Sequence, residues 1–343
     1  MKKLLFKKGK AASRRQPELP AKSVAANRRA LSIHDVLLAR QLIAPFVRRT
    51  PLIPARNLLY DIKGARNLFL KLENLQVTGS FKARGALTRV LSLPKSDLKN
   101  GVITASGGNH GIAVAYAAMQ AGTHATIYVP ESINPAKRHN MHEFGGVTVT
   151  GGTIFHEALL NAREESKIQN IPFIHTFGDR GVIAGQGTVA LEILEDLPDV
   201  DVLVVAIGGG GLIGGMGLAA HGINKKIRII GVEPTGAPTL YQSLRQDKLV
   251  KLSSVNTRAG TLSMSQTTRT NFEIVRKHVE KIVLVSDEEM KQAAEWLWFE
   301  MGIAAELAGA AAIAALQTGK VKVRAHEKVC ALVCGSGLDG VGS

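Results

Sequence analysis

From Asn67 onward, short unbroken apolar runs alternate with Ala- and Gly-rich stretches long enough to be helices. The runs are Asn67–Lys71, Gly101–Ala105, Ala125–Val129, Thr148–Thr150, Val202–Ala206, Ile227–Val232, Lys281–Val285 and Val329–Val333. Several are continuously apolar instead of alternating, as strands covered on both faces are. Parallel neighbours need a crossover connection, so this alternation predicts an α/β chain with mostly parallel sheets. Ahead of the first run, Ser32 with Asp35 three residues on reads as a helix start. Val36, Leu37, Leu38, Leu42 and Ile43 follow at helical spacing, and Thr50-Pro51 breaks the pattern.

With 343 residues, 45% of them apolar, one or two compact domains with a sizeable core are expected. The two cysteines, Cys330 and Cys334, share one apolar run. On a strand their Cα atoms lie roughly 13 Å apart, too far for a disulfide. That suits a reducing compartment, and a cytoplasmic location is expected. The net charge of +15 is uneven: the first 30 residues carry ten Lys/Arg against one acid, Glu18. With Pro17 and Pro20 this reads as a basic, disordered tail over residues 1–31. Such a tail suits organelle targeting, a nucleic-acid or membrane-surface arm, or a solvated charge run with no partner. Nothing else in the chain supports a nucleic-acid partner. No window of about 20 apolar residues occurs, so no membrane span is expected.

Three short stretches carry chemistry. In Ser80-Phe81-Lys82-Ala83-Arg84-Gly85-Ala86, the lysine stands at the mouth of a helix. The positive helix end and partial burial both disfavour its ammonium form and leave a nucleophilic amine. Read alone, it is an ordinary surface lysine near a cap. In Thr104-Ala105-Ser106-Gly107-Gly108-Asn109-His110-Gly111, a strand ends and a helix opens. Its hydroxyl, amide and backbone N–H groups could cradle a carboxylate. The third stretch is Gly208-Gly209-Gly210-Gly211-Leu212, again between strand and helix. Gly209, Gly211 and Gly214 satisfy G-x-G-x-x-G, with Glu233 about 20 residues on, so a nicotinamide-dependent dehydrogenase is a rival reading. The motif is unspecific by itself, because any phosphate at a helix N-terminus uses the same loop.

Taken in order, S-F-K-x-R-G-A, S-x-G-N-H-G, G-G-G-G-L and the closing C-G-S-G at Cys334–Gly337 resemble the fold-type-II pyridoxal-phosphate enzymes. Within them the chain resembles the threonine/serine dehydratase and serine racemase family, from about Ser32 onward. The resemblance implies a tryptophan synthase β-like architecture of two domains, with twisted, mostly parallel sheets covered by helices. Residues 101–178 would form a small domain inserted into a large one made of 32–100 and 179–343.

It further implies that Lys82 binds the aldehyde of pyridoxal 5′-phosphate and that Phe81 packs against its ring. Asn109 would meet the ring hydroxyl, and Gly208, Gly209, Gly210, Gly211 and Leu212 would hold the phosphate. Cys334 would face the pyridine nitrogen. Ser106, Gly107, Asn109 and His110 would receive the substrate carboxylate, His110 being equally a helix-cap histidine.

A neutral thiol cannot stabilise a protonated pyridine as a carboxylate does, which favours expelling a β-leaving group. Racemases of the family carry a serine where this chain has Gly107, so dehydration is favoured over racemisation. The implied reaction is dehydration and deamination of a β-hydroxy amino acid, L-threonine or L-serine. Serine racemase or another fold-type-II lyase is the alternative. Glu233, Ala237 and Thr239 resemble the family's cation loop. Thr239 supplies only a neutral oxygen, so K⁺ is expected before Mg²⁺. Ending at Ser343, the chain leaves no room for a regulatory domain, and feedback control by isoleucine is not expected. A homodimer is expected as the commonest soluble assembly.

Two features stay outside this reading. His139 and His142 are three apart with no third ligand nearby, and read as a solvated helix face. The segment Thr261–Thr270 departs from the family's text and is a candidate for the substrate side-chain pocket.

Overall fold

The computed structural model describes residues 29–337, 339 and 340; residues 1–28 of the basic tail lie outside the described residues. The elements in chain order are α1 (Ile33–Ile43), β1 (Leu52–Pro54), β2 (Asn67–Leu72), α2 (Lys82–Leu91), β3 (Val102–Ala105), α3 (Asn109–Gln120), β4 (Ala125–Val129), α4 (Pro135–Glu143), β5 (Val147–Thr150) and α5 (Phe155–Ile168). They continue with α6 (Arg180–Asp196), β6 (Val202–Ala206), α7 (Gly211–Ile223), β7 (Arg228–Pro234), α8 (Thr239–Arg245), α9 (Arg269–His278), β8 (Lys281–Val285), α10 (Asp287–Met301), α11 (Leu307–Gln317) and β9 (Lys328–Val333).

Six strands form one sheet in the order β1-β2-β9-β6-β7-β8, and three form a second in the order β3-β4-β5. Only β1 with β2 is antiparallel; the other pairs are parallel. All eight apolar runs become strands with ends within two residues of those read from sequence. Strand β1 was not anticipated. It is three residues long, too short for periodicity, and its Pro54 has no N–H to give, which an edge position tolerates. Strand β6 is buried at all five positions, as expected of a continuous apolar run inside a parallel sheet. Cys330 lies in β9 and Cys334 just beyond it; both are free and buried.

Each sheet carries its own buried cluster. The larger is built on β6, β7, β9 and α11. The smaller joins Ile127 and Val129 of β4 to Ile112 and Val114 of α3. Ala86, Leu87 and Val90 of α2 belong to that smaller cluster, while α2 also packs along α6. The helix that begins at Lys82 is therefore wedged between the two cores.

A buried ion network fixes α2 from below. Arg84 donates to both oxygens of Glu73, at 2.8 and 2.7 Å, and to both of Glu192, at 2.7 and 3.0 Å. Lys71 donates to Glu192 and to the Thr50 carbonyl, each at 2.7 Å. Burial opposes ionisation of Glu192, but Arg84 and Lys71 outweigh it and hold its carboxyl below the usual range. Two cations matched to two carboxylates satisfy one another here; removing one partner would strand a buried charge.

Candidate active site between the two sheets

The end of β9 holds Lys82 in place. Ser80 bridges to Gly335, and the Phe81 N–H donates to the Cys334 carbonyl at 3.2 Å. Lys82 is the first residue of α2, as the sequence suggested, and its Nζ donates to the Thr176 carbonyl at 3.1 Å. The amine faces a cavity, 5.1 Å from the Phe81 ring centroid. Desolvation pulls its pKa down to about 8, although Cys334 and Glu306 act in the opposite direction. A substantial neutral fraction at mild alkaline pH is what a nucleophilic lysine needs.

On the other side of the cavity, β6 leads through Ile207 into Gly208, Gly209, Gly210 and the first residue of α7, Gly211. Gly210 sits at φ +87, which a side chain would strain, and a Cβ on Gly209 would fall 2.2 Å from the Phe177 ring. The Gly209 carbonyl is pinned by Asn271 Nδ2 at 2.7 Å and Thr267 Oγ1 at 2.9 Å. That leaves the first-turn N–H groups of α7, including Leu212, without intrahelical acceptors and open to an anion. The dehydrogenase reading fails on Glu233. Its carboxylate is fully buried and accepts from Leu240 N at 2.9 Å and Tyr241 N at 2.8 Å, so it caps α8 and meets no ribose.

The second cradle follows β3. The Ser106 hydroxyl accepts from Gly108 N at 3.2 Å, and α3 opens at Asn109. Ser106, Gly107, Asn109 and His110 all line one cavity with Lys82. His110 does not cap α3. Its ring is buried, with Nε2 3.3 Å from the Ile174 carbonyl, and burial pushes its pKa down to about 3. It is therefore neutral. Cys334 lies at the end of β9, its thiol donating to the Ala308 carbonyl at 3.4 Å. Burial pushes that thiol well above its ordinary range, so it too is neutral.

Sequence reasoning missed Glu306, which lines both cavities and stands at the N-cap position of α11 without a side-chain hydrogen bond to that helix. An acid before an Ala-rich helix is an ordinary capping signal, so nothing in the text marked it. Gln186 and Thr176 were missed as well. Gln186 is buried against the Lys82 cavity with neither amide atom hydrogen-bonded among the described residues. Of the segment at 261–270, Thr261, Ser263 and Met264 line the cavity that also holds Lys82, Ser106 and Asn109. Residues 263–268 continue into an adjoining cleft with Phe155, Arg163 and Lys251. His139 and His142 are exposed on α4, and His142 pairs with the Thr148 hydroxyl at 2.8 Å. Among the described residues no cluster of three His, Cys, Asp or Glu is arranged to hold a metal. Glu233, Ala237 and Thr239 are adjacent at the start of α8, where the Thr239 hydroxyl donates to the Met264 carbonyl.

A cavity that offers an amine to an aldehyde and a glycine cradle to a phosphate defines a class: enzymes built around a phosphorylated aldehyde cofactor. The chain belongs to the family of pyridoxal-phosphate dependent enzymes, whose model matches residues 43–335. It is 37% identical over 309 residues to an L-threonine ammonia-lyase of Thermotoga maritima, covering 90% of this chain and 76% of that one. It is equally 37% identical to a catabolic L-threonine dehydratase of Staphylococcus aureus, covering 90% of each. Among solved structures, maize serine racemase superposes with a TM-score of 0.85 at 32% identity, covering 90% of this chain and 94% of that one. The processed form of threonine deaminase isoform 2 from Solanum lycopersicum superposes with a TM-score of 0.83 at 31% identity, covering 94% and 90%.

Proposed function

We propose that this chain dehydrates a β-hydroxy amino acid, L-threonine or L-serine, to an enamine that hydrolyses to a 2-oxo acid and ammonia. The carrying observation is a depressed-pKa amine, Lys82, sharing one cavity with a thiol, Cys334, that burial keeps neutral. Pyridoxal phosphate, when bound, supplies the electron sink that renders the substrate's α-proton acidic. Lys82 would hold the cofactor, and its amine would take the α-proton. Phe81 would pack along the ring, Gly208–Leu212 would hold the phosphate, and Ser106, Asn109 and the loop amides would orient the carboxylate. His110 is neutral and lends the loop shape without charge.

Cys334 offers no negative charge to the pyridine nitrogen, so charge at Cα is best relieved by breaking the Cβ–O bond. Water leaves, and hydrolysis of the released enamine returns it, so the net products are the 2-oxo acid and ammonia. Gly107 has no side chain with which to return a proton from the opposite face, which disfavours a racemase. The division into residues 101–178 and the remainder puts this chemistry at a domain boundary, and a homodimer remains the expected assembly. The deciding experiment is an ammonia assay run beside chiral chromatography on L-threonine and L-serine. Faster appearance of the D-isomer than of ammonia would overturn the reading.

A bound K⁺ at Glu233, Ala237 and Thr239 belongs to the same proposal. Glu233 is a buried carboxyl that desolvation pushes up to about 8, against two N–H donors, and it forms no ion pair with a described side chain. A monovalent cation there would restore its charge.

A further inference from the structure

We propose that Glu306 is a positioning residue that fixes the side-chain amide of Asn109, and through it the ring of the cofactor. This rests on the reading of Asn109 as a contact of the ring hydroxyl. Glu306 Oε1 accepts from Asn109 Nδ2 at 3.0 Å and from the Thr261 hydroxyl at 3.1 Å. Oε2 lies 3.9 Å from Lys137 Nζ, which reaches across from α4. Burial raises the pKa of Glu306, while Lys137, Thr261 and Asn109 favour its charged form; that form only accepts hydrogen bonds, so Asn109 turns its NH₂ group toward it and not its oxygen. One N–H is then spent on Glu306, and the second remains for the ring oxygen, which needs a donor.

The closing Cys334-Gly335-Ser336-Gly337 turn is shaped around this carboxylate. The Glu306 N–H donates to the Gly335 carbonyl at 3.2 Å. A Cβ on Gly335 would fall 2.6 Å from Glu306 Oε1 and 3.2 Å from Asn109 Nδ2. One on Gly337 would fall 2.8 Å from the Glu306 Cβ. The two glycines give Glu306 the room to reach Asn109, and the same turn delivers Cys334 beside it. The residue facing the pyridine nitrogen and the residue orienting the ring hydroxyl's partner are thus set by one loop.

Glu306→Gln keeps the shape but can donate as well as accept, so Asn109 no longer has a single favoured orientation. Pyridoxal phosphate titrated into apoenzyme, followed by the cofactor's visible absorption, is expected to bind about tenfold or more weakly, with a displaced band. Asn109→Ala should weaken binding by itself. Adding Glu306→Gln to Asn109→Ala should then cost little more, because the two act in series. Melting of the cofactor-free variants separates this from a folding defect, since it should match wild type for Glu306→Gln. Wild-type affinity and band position in Glu306→Gln would overturn the proposal, as would losses that multiply fully in the double variant. The titration involves no substrate. A wild type that binds cofactor normally but releases no ammonia from L-threonine would therefore sink the proposed reaction and not this one.

Discussion

At the residue scale, the environment of each site side chain decides its protonation, and that makes the chemistry testable. The Lys82 amine should capture pyridoxal phosphate from solution faster as pH rises through about 8, not through its ordinary 10.5. Stopped-flow reconstitution of apoenzyme measures this, and Lys82→Ala should leave a folded protein with no captured cofactor and no turnover. Gly107 decides stereochemistry in the proposed reaction. A Cβ there lies 3.3 Å from Pro130 Cδ, so the neighbour must yield by only a few tenths of an ångström. Gly107→Ser should fold, and should raise the ratio of D-serine to ammonia formed from L-serine. An unchanged ratio by chiral chromatography would remove residue 107 from the argument.

At the element scale, much of this site could be read in the text, and the reasons are physical. Lys82 opens a helix, and the Ser106–His110 and Gly208–Gly211 loops each stand where an apolar strand gives way to one, starts that local sequence marks strongly. Glu306 and Gln186 could not be found that way, because their roles exist only after distant elements meet. Glu306 lies 197 residues from its partner Asn109. Strand β1 escaped because its pairing is dictated by the free edge of β2 and not by its own pattern. The same logic explains Arg84, which stands in the lysine motif yet lines neither cavity that Lys82 faces. It ties the first turn of α2 to Glu73 and Glu192. Arg84→Met should cost roughly 3–5 kcal/mol, since Glu192 would keep Lys71 while the buried Glu73 would keep only the Thr50 hydroxyl and no cation. Chemical denaturation of the variant checks it, and a loss below about 1 kcal/mol would mean that water enters the network.

At the scale of the whole molecule, Glu233 should make stability depend on pH in an unusual direction. Its folded pKa of about 8 lies above the ordinary 4.5, so the folded state binds more protons between those values. The associated stability is present in full below about 4.5 and is lost as pH rises toward 8. A cation beside Glu233 would lower that pKa and flatten the loss. Melting temperatures in tetramethylammonium buffer should therefore fall between pH 5 and pH 8 by several degrees more than in K⁺ buffer. Parallel curves in the two salts would argue against a cation at this place.

The order of strands in the large sheet has a consequence for synthesis. β9, last in sequence, is inserted between β2 and β6, near the middle of the sheet. While the ribosome is still making residues 328–333, β2 and β6 have no neighbour between them, and neither Ser80 nor Phe81 has its anchor at the end of β9. Closure of the sheet must wait for the chain to return over more than 250 residues, a distant pairing of the kind that folds slowly. The cofactor pocket therefore reports on completion. A nascent chain arrested before Lys328 should leave the absorption band of added pyridoxal phosphate unshifted, whereas one released past Gly337 should shift it.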